Sequence, residues 1–150
     1  MMDFPWFQFY PEAVPKHIDP EQYSSAVDLF EESIEKYGDA IAYECMDKTI
    51  SFNELDQLSA TFASFLQHEF KLKKGDRIGI QMPNLLQYPI VMFGALRAGL
   101  IVVNTNPLYT SSEMEHQFSD AGVEAIVIVA NFAHNLEKIQ EKIGVKKIVI

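Results

Sequence analysis

Residues able to do chemistry are thinly spread along this chain. The polar run Asn104–Thr110, NTNPLYT, follows an apolar stretch and precedes a helix signal. It therefore falls at the carboxyl end of a strand, where open α/β sheets place their ligands. Asn104 and Asn106 are also ordinary turn formers, and Pro107 fixes the chain's exit, so a structural corner explains the run equally simply. His17, His68, His116 and His134 are scattered, and Cys45 has no neighbour at metal-ligand spacing. Glu113 and Glu115 do not face one another on a helix and make a poor acid–base pair. The glycines at 38, 75, 79, 94, 99, 122 and 144 are dispersed. Backbone that cradles phosphate needs them clustered, and no G-x-x-x-x-G-K is present. No catalytic, cofactor-binding or metal-ligating residue is assigned within 1–150.

The elements that would position any such site are clearer. Arg77–Met82 reads as a strand with apolar Ile78, Ile80 and Met82. Pro83-Asn84 breaks it, with Asn84 a good N-cap. Leu85–Ala98 is apolar almost all round, the mark of a buried helix. Pro89 shifts its start to Leu86 or Gln87, because a proline belongs in the first turn. Gly99 serves as the C′ glycine, and Leu100–Val103 has the continuous apolar pattern of a strand covered on both faces. Strand, helix and strand make a βαβ unit with parallel strands.

Around this unit, Ser24 or Ser25 caps a helix that ends at Gly38, with Val27, Phe30, Ile34 and Tyr37 inward. Ala40–Cys45 and Lys48–Phe52 form a hairpin about Met46-Asp47. Ser51-x-x-Glu54 opens a helix whose stripe is Leu55, Leu58, Phe62, Phe65, Leu66 and Phe70. Lys71–Gly75 is a basic turn, more simply a solvated loop than a phosphate contact. Ser112-x-x-Glu115 is read as another capping box, on a helix that stops at Gly122. Ala125–Val129 is a buried strand, Asn131 caps a helix through Lys142, and Lys147–Ile150 begins a further strand. The fold class is thus α/β: a mostly parallel sheet flanked by helices, preceded by a helix/hairpin part. The parts are an aromatic arm (1–23), a helix–hairpin–helix (24–73) and a parallel α/β part (74–150).

KKGDRIGIQMPNLLQYPIVMFGALRAGLIVVNTNPLYTSSEMEHQFSDAG closely resembles the early part of bacterial long-chain fatty-acid–CoA ligases, and so does ANFAHNLEK. These are members of the adenylate-forming superfamily, with luciferases and peptide-synthetase adenylation domains. The resemblance covers essentially the whole chain. It implies an N-terminal subdomain of an enzyme that activates a fatty acid with ATP to an acyl-adenylate and transfers it to coenzyme A. ATP, magnesium and coenzyme A are implied for the full-length enzyme and none for this segment. The family's phosphate loop, Tyr-Gly-x-Thr-Glu stretch, ribose-binding aspartate and C-terminal lysine have no matching positions here, so the segment alone is expected to be inactive. Two competing readings stand: a ligase for aryl or shorter acids, and a naturally truncated binding or dimerising module.

The chain has 150 residues and a net charge of −9. Residues 1–70 hold 14 acids and 3 bases, a balance of −11; the rest hold 7 acids and 9 bases, +2. An acidic half excludes a nucleic-acid face and simple electrostatic attachment to an anionic membrane. Cys45 is alone, so no internal disulfide forms. No secretory signal or bilayer-spanning stretch is seen, which predicts a cytoplasmic location, peripheral at the inner membrane if membrane-bound. The arm carries Phe4, Trp6, Phe7, Phe9 and Tyr10 among prolines. It is expected either to lay these aromatics on the body or to contact a membrane interface or partner. The final strand, Ile148–Ile150, is expected to lack a neighbour, so that the isolated chain self-associates as a homo-oligomer.

Overall fold

A computed structural model describes residues 4–150. After a short 3₁₀ turn at Pro5–Phe9, the elements are α1 (Ala26–Tyr37), β1 (Ile41–Cys45), β2 (Lys48–Ser51), α2 (Phe52–His68), β3 (Arg77–Gln81), α3 (Gln87–Arg97), β4 (Ile101–Asn104), α4 (Ser111–Ala121), β5 (Ala125–Ile128), α5 (Ala130–Glu137), α6 (Gln140–Ile143) and β6 (Lys147–Val149). β1 and β2 form an antiparallel pair of their own. Met46 and Asp47 both take positive φ, 51° and 58°, as the tight hairpin turn requires. The other four strands make one sheet in the order β4-β3-β5-β6, parallel throughout.

Strand alternation divides the core into two layers. Ile78, Ile80, Ala125 and Val127 face α2 and α3, where Leu66, Val91, Ala95 and Ala98 meet them. Ile126 and Ile128 face the other way, onto Met114 and Phe118 of α4, Leu136 of α5 and Ile139. A third cluster, Phe30, Ile50 and Leu55 with Phe93 and Ile90, ties α1 and the hairpin to α3. No described helix is long and apolar enough to cross a membrane.

The late helix start holds: α3 begins at Gln87, and Pro89 lies in its first turn. Asn84 does not cap it, because the N-cap position is Leu86 and no side chain bonds there. The helix end is a complete Schellman motif. Gly99 takes φ +78°, its N–H donates to Leu96 O at 2.9 Å, and Leu100 N–H donates to Ala95 O at 3.0 Å.

Four other expectations are corrected. β4 is not covered on both faces; it is an edge strand, and Ile101 is 47% exposed. Its apolar run is explained in part by Leu100, whose burial belongs to the α3 corner rather than to the strand. The buried stripe of α2 is Leu55, Ser59, Ala63 and Leu66, with Leu58 turned to solvent. The helix is rotated toward its small residues because α3 approaches closely there: a Cβ at Gly94 would lie 2.9 Å from Ser59 O. The predicted helix 131–142 is two helices. Ile139 leaves helical geometry at φ −120° and sinks into the second core layer. Asn131 caps nothing; Val129 is the N-cap, since it still pairs to Gln81 O before the chain turns.

Candidate functional site

The carboxyl edge of the sheet is where a ligand would be sought, and its geometry shows how its polar atoms are used. Thr105 N–H donates to Ile80 O at 2.9 Å, extending the β3–β4 pairing into the loop. Gln81, fully buried at the end of β3, donates its amide to Asn106 O at 3.2 Å. Gln117 on α4 donates likewise to Asn104 O at 3.1 Å. Tyr88 of α3 donates its hydroxyl to Asn104 Oδ1 at 2.9 Å. Asn106 Oδ1 accepts from Leu108 N–H at 3.0 Å, the Asx turn its type favours. A buried glutamine, Gln81, and a half-buried one, Gln117, thus hold the carbonyls on either side of Thr105. Neither was singled out in the sequence. Gln81 falls in the opposite phase from Ile78, Ile80 and Met82, where alternation points a side chain to solvent, so local pattern carries no signal of its burial.

The corner ends in a helix cap. Thr110 Oγ1 accepts from Glu113 N–H, while Glu113 Oε2 accepts from Thr110 N–H at 2.8 Å and from its hydroxyl at 2.7 Å. These bonds hold the Glu113 carboxyl below its usual range. The capping box is therefore Thr110–Glu113, not Ser112–Glu115. Glu115 instead pairs with Lys142 Nζ at 2.9 Å, joining α4 to α6. Ser51 and Glu54 form the predicted box on α2, which lowers the Glu54 pKa for the same reason.

Two apolar cavities lie where the hairpin meets α3, the second also reaching α1. One, of about 350 Å³, is lined by Tyr43, Cys45, Leu85, Leu86, Pro89 and Met92. The other, of about 340 Å³, shares Tyr43 and Met92 and adds Leu29, Phe30, Phe52 and Phe93. The Cys45 thiol donates to Asn84 O at 3.4 Å. Such walls hold apolar groups, but they bring no acid–base pair to bear on one.

Arg97, in the last turn of α3, gathers several polar contacts. Its Nη1 donates to Asp56 O at 2.9 Å and Ser59 Oγ at 3.1 Å, its Nη2 bonds the Asp56 carboxylate, and its guanidinium lies 5.1 Å from the Phe30 ring centroid. It clamps α3 to α2 and α1 and is committed to that task.

The histidines are not brought together. His17 packs edge-on to Phe7 at 5.0 Å, His68 bonds its own helix at Ser64 O, and His116 and His134 are exposed on separate helices. No group of three His, Cys, Asp or Glu among the described residues is placed to hold a metal ion. Nor do the glycines make a phosphate cradle. Gly38, Gly75, Gly99, Gly122 and Gly144 take positive φ one at a time, at helix ends and turns. Gly75 is used in the turn itself, its N–H donating to Gly99 O at 2.9 Å. Among the described residues, none is arranged to fit ATP phosphates or magnesium.

Residues 30–150 match the AMP-binding enzyme family. The chain is 51% identical over 145 residues to the long-chain-fatty-acid–CoA ligase of Escherichia coli O6:H1, covering 97% of this chain and 26% of that protein. It is 50% identical over 149 residues to the long-chain-fatty-acid–CoA ligase of Yersinia pestis, covering 99% of this chain and 26% of that one. It thus spans about a quarter of the length of these relatives. Among solved structures, the anthranilate CoA ligase AuaEII bound to anthranoyl-AMP superposes with a TM-score of 0.80 at 21% identity, over 85% of this chain and 25% of that one. That likeness shows a shared fold. On the match over residues 30–150 and on these identities, the chain belongs to the AMP-binding enzyme family.

Proposed function

We propose that this chain forms the N-terminal scaffold of an ATP-dependent long-chain fatty-acid–CoA ligase, which makes acyl-CoA through an acyl-adenylate. The observation that carries this reading is the 51% identity, over 97% of the chain, to a relative named for that activity. The fold alone does not separate it from an aryl ligase, since the anthranilate enzyme shares the fold at 21% identity. The whole enzyme uses fatty acid, ATP, magnesium and coenzyme A. The groups that touch them lie outside these 150 residues, and no catalytic residue is assigned within them. The arm (1–23), helix–hairpin–helix (24–73) and parallel part (74–150) act as one scaffold unit. The enzyme works in the cytoplasm, peripherally at the inner membrane. On its own the chain self-associates through its sheet edges, where Ile101 is 47% and Ile150 71% exposed.

A graft tests the reading. The segment of the Escherichia coli relative that aligns with this chain is replaced by residues 1–150, and acyl-CoA formation is measured with oleate and with benzoate. Oleoyl-CoA formation within about tenfold of the parent is expected. A folded graft that prefers benzoate, or that makes no acyl-CoA, contradicts the proposal.

A further inference from the structure

The N-terminal arm does not lay its aromatics into the body's core. None of the three core clusters includes a residue from the arm. The arm builds a small cluster of its own around Phe7, which is 7% exposed. Phe4, Trp6 and Tyr10 ring it with centroids 5.4, 6.3 and 5.6 Å away. His17 and the Lys16 ammonium, 5.8 Å from the ring centroid, close the other side. Trp6 and Tyr10 are only partly covered by this cluster, and Phe9, Val14 and Ile18 lie outside it. Trp6 is 51% exposed, Phe9 79%, Tyr10 39%, Val14 44% and Ile18 86%.

We propose that residues 4–18 are a lipid-contacting element that inserts Trp6, Phe9 and Ile18 into the interface of a zwitterionic bilayer. The inference deepens the peripheral-membrane reading above and is independent of the ligase chemistry. Trp and Tyr, apolar at one end and polar at the other, suit the boundary between headgroups and acyl chains. Charge and area choose the occupant. Glu12 and Lys16 balance within residues 4–18, but the surrounding half of the chain is strongly acidic. That excludes attraction to an anionic surface and makes a second copy of this acidic half a repulsive partner. The five outward side chains expose on the order of 500–600 Å², short of the roughly 800 Å² per partner of a stable protein interface. An element lying in a bilayer interface needs no complementary surface, only apolar area to bury.

Trp6 is the chain's one tryptophan and reports directly on the arm. Its fluorescence is followed as the 150-residue chain is titrated with phosphatidylcholine vesicles. A blue shift, with quenching by brominated acyl chains, is expected without anionic lipid. Phe9→Ser combined with Ile18→Ser should weaken vesicle binding at least tenfold and leave the thermal midpoint unchanged, because both side chains are already exposed. Several results would overturn the proposal: no shift at millimolar lipid, a shift that requires anionic lipid, or a shift that follows protein concentration without vesicles. Equal vesicle sedimentation of the double variant and the parent would leave the membrane location standing and remove the arm from it.

Discussion

On one face of the sheet, α2 and α3 approach backbone to side chain; on the other, a single ring fills the gap. Gly94 brings α3 so near α2 that an added Cβ would meet Ser59 O and Phe62 Cδ1, each at 2.9 Å. On the opposite face, an added Cβ at Gly79 would meet Phe118 Cε1, also at 2.9 Å. The distances are equal but the obstacles are not. A backbone carbonyl within a helix cannot move alone, and here Arg97 also fastens that helix pair. An aromatic side chain can shift with modest repacking. Equal crowding should therefore have unequal consequences, and the first face should be the stiffer.

Substitutions can break that comparison. Gly94→Ala should have the largest effect. The better helix propensity of alanine offsets about 1 kcal/mol, and forced separation of α2 from α3 should leave a net loss of about 2 kcal/mol. Urea unfolding measures it, and a gain in stability would show that the helices do not meet as described. Gly99→Val comes next. A side chain at φ +78°, with Lys74 Cγ at 3.1 Å, should cost roughly 1–2 kcal/mol. An unchanged thermal midpoint would deny the Schellman ending of α3. Gly79→Ala should cost about 1 kcal/mol or less, because Phe118 gives way. A loss as large as that at Gly94 would erase the distinction between the faces.

The smallest effect is in acid. The Glu54 and Glu113 carboxyls are held below their ordinary values by bonds from Ser51 and Thr110. Groups with depressed folded pKa stabilise the fold above their unfolded pKa, about 4.3, and lose that contribution as pH falls through the folded value. The acid limb of thermal stability should flatten slightly in Glu54→Gln/Glu113→Gln. If the limb below pH 4.3 is identical in parent and variant, the caps do not contribute through their charge.

Local signals with one solution were readable in the sequence, and signals with two were not. The hairpin, the Ser51 box and the ending at Gly99 each had a single arrangement that satisfied turn chemistry. Thr110-x-x-Glu113 and Ser112-x-x-Glu115 both carry box spacing. The choice falls to the first because the corner held by Gln81 and Gln117 delivers the chain to α4 at Thr110. The buried stripe of α2 departs from its large apolar residues for a related reason. Large apolar residues mark a buried face only when the neighbour keeps its distance, and Gly94 removes that distance. The split between α5 and α6 carries no glycine or proline. It follows from the burial of Ile139, a tertiary demand invisible to local propensity. The candidate site divides similarly. Asn104 and Asn106 are readable as turn formers, but the two glutamines that hold their carbonyls are not, because an amide's partner lies across the fold.

As proposed above, these 150 residues supply scaffold and not chemistry to a long-chain fatty-acid–CoA ligase. The most direct test is to incubate the purified chain with ATP, magnesium, oleate and coenzyme A and to quantify both AMP and oleoyl-CoA. Amounts indistinguishable from a control without protein are expected. Chain-dependent formation of either product would contradict it.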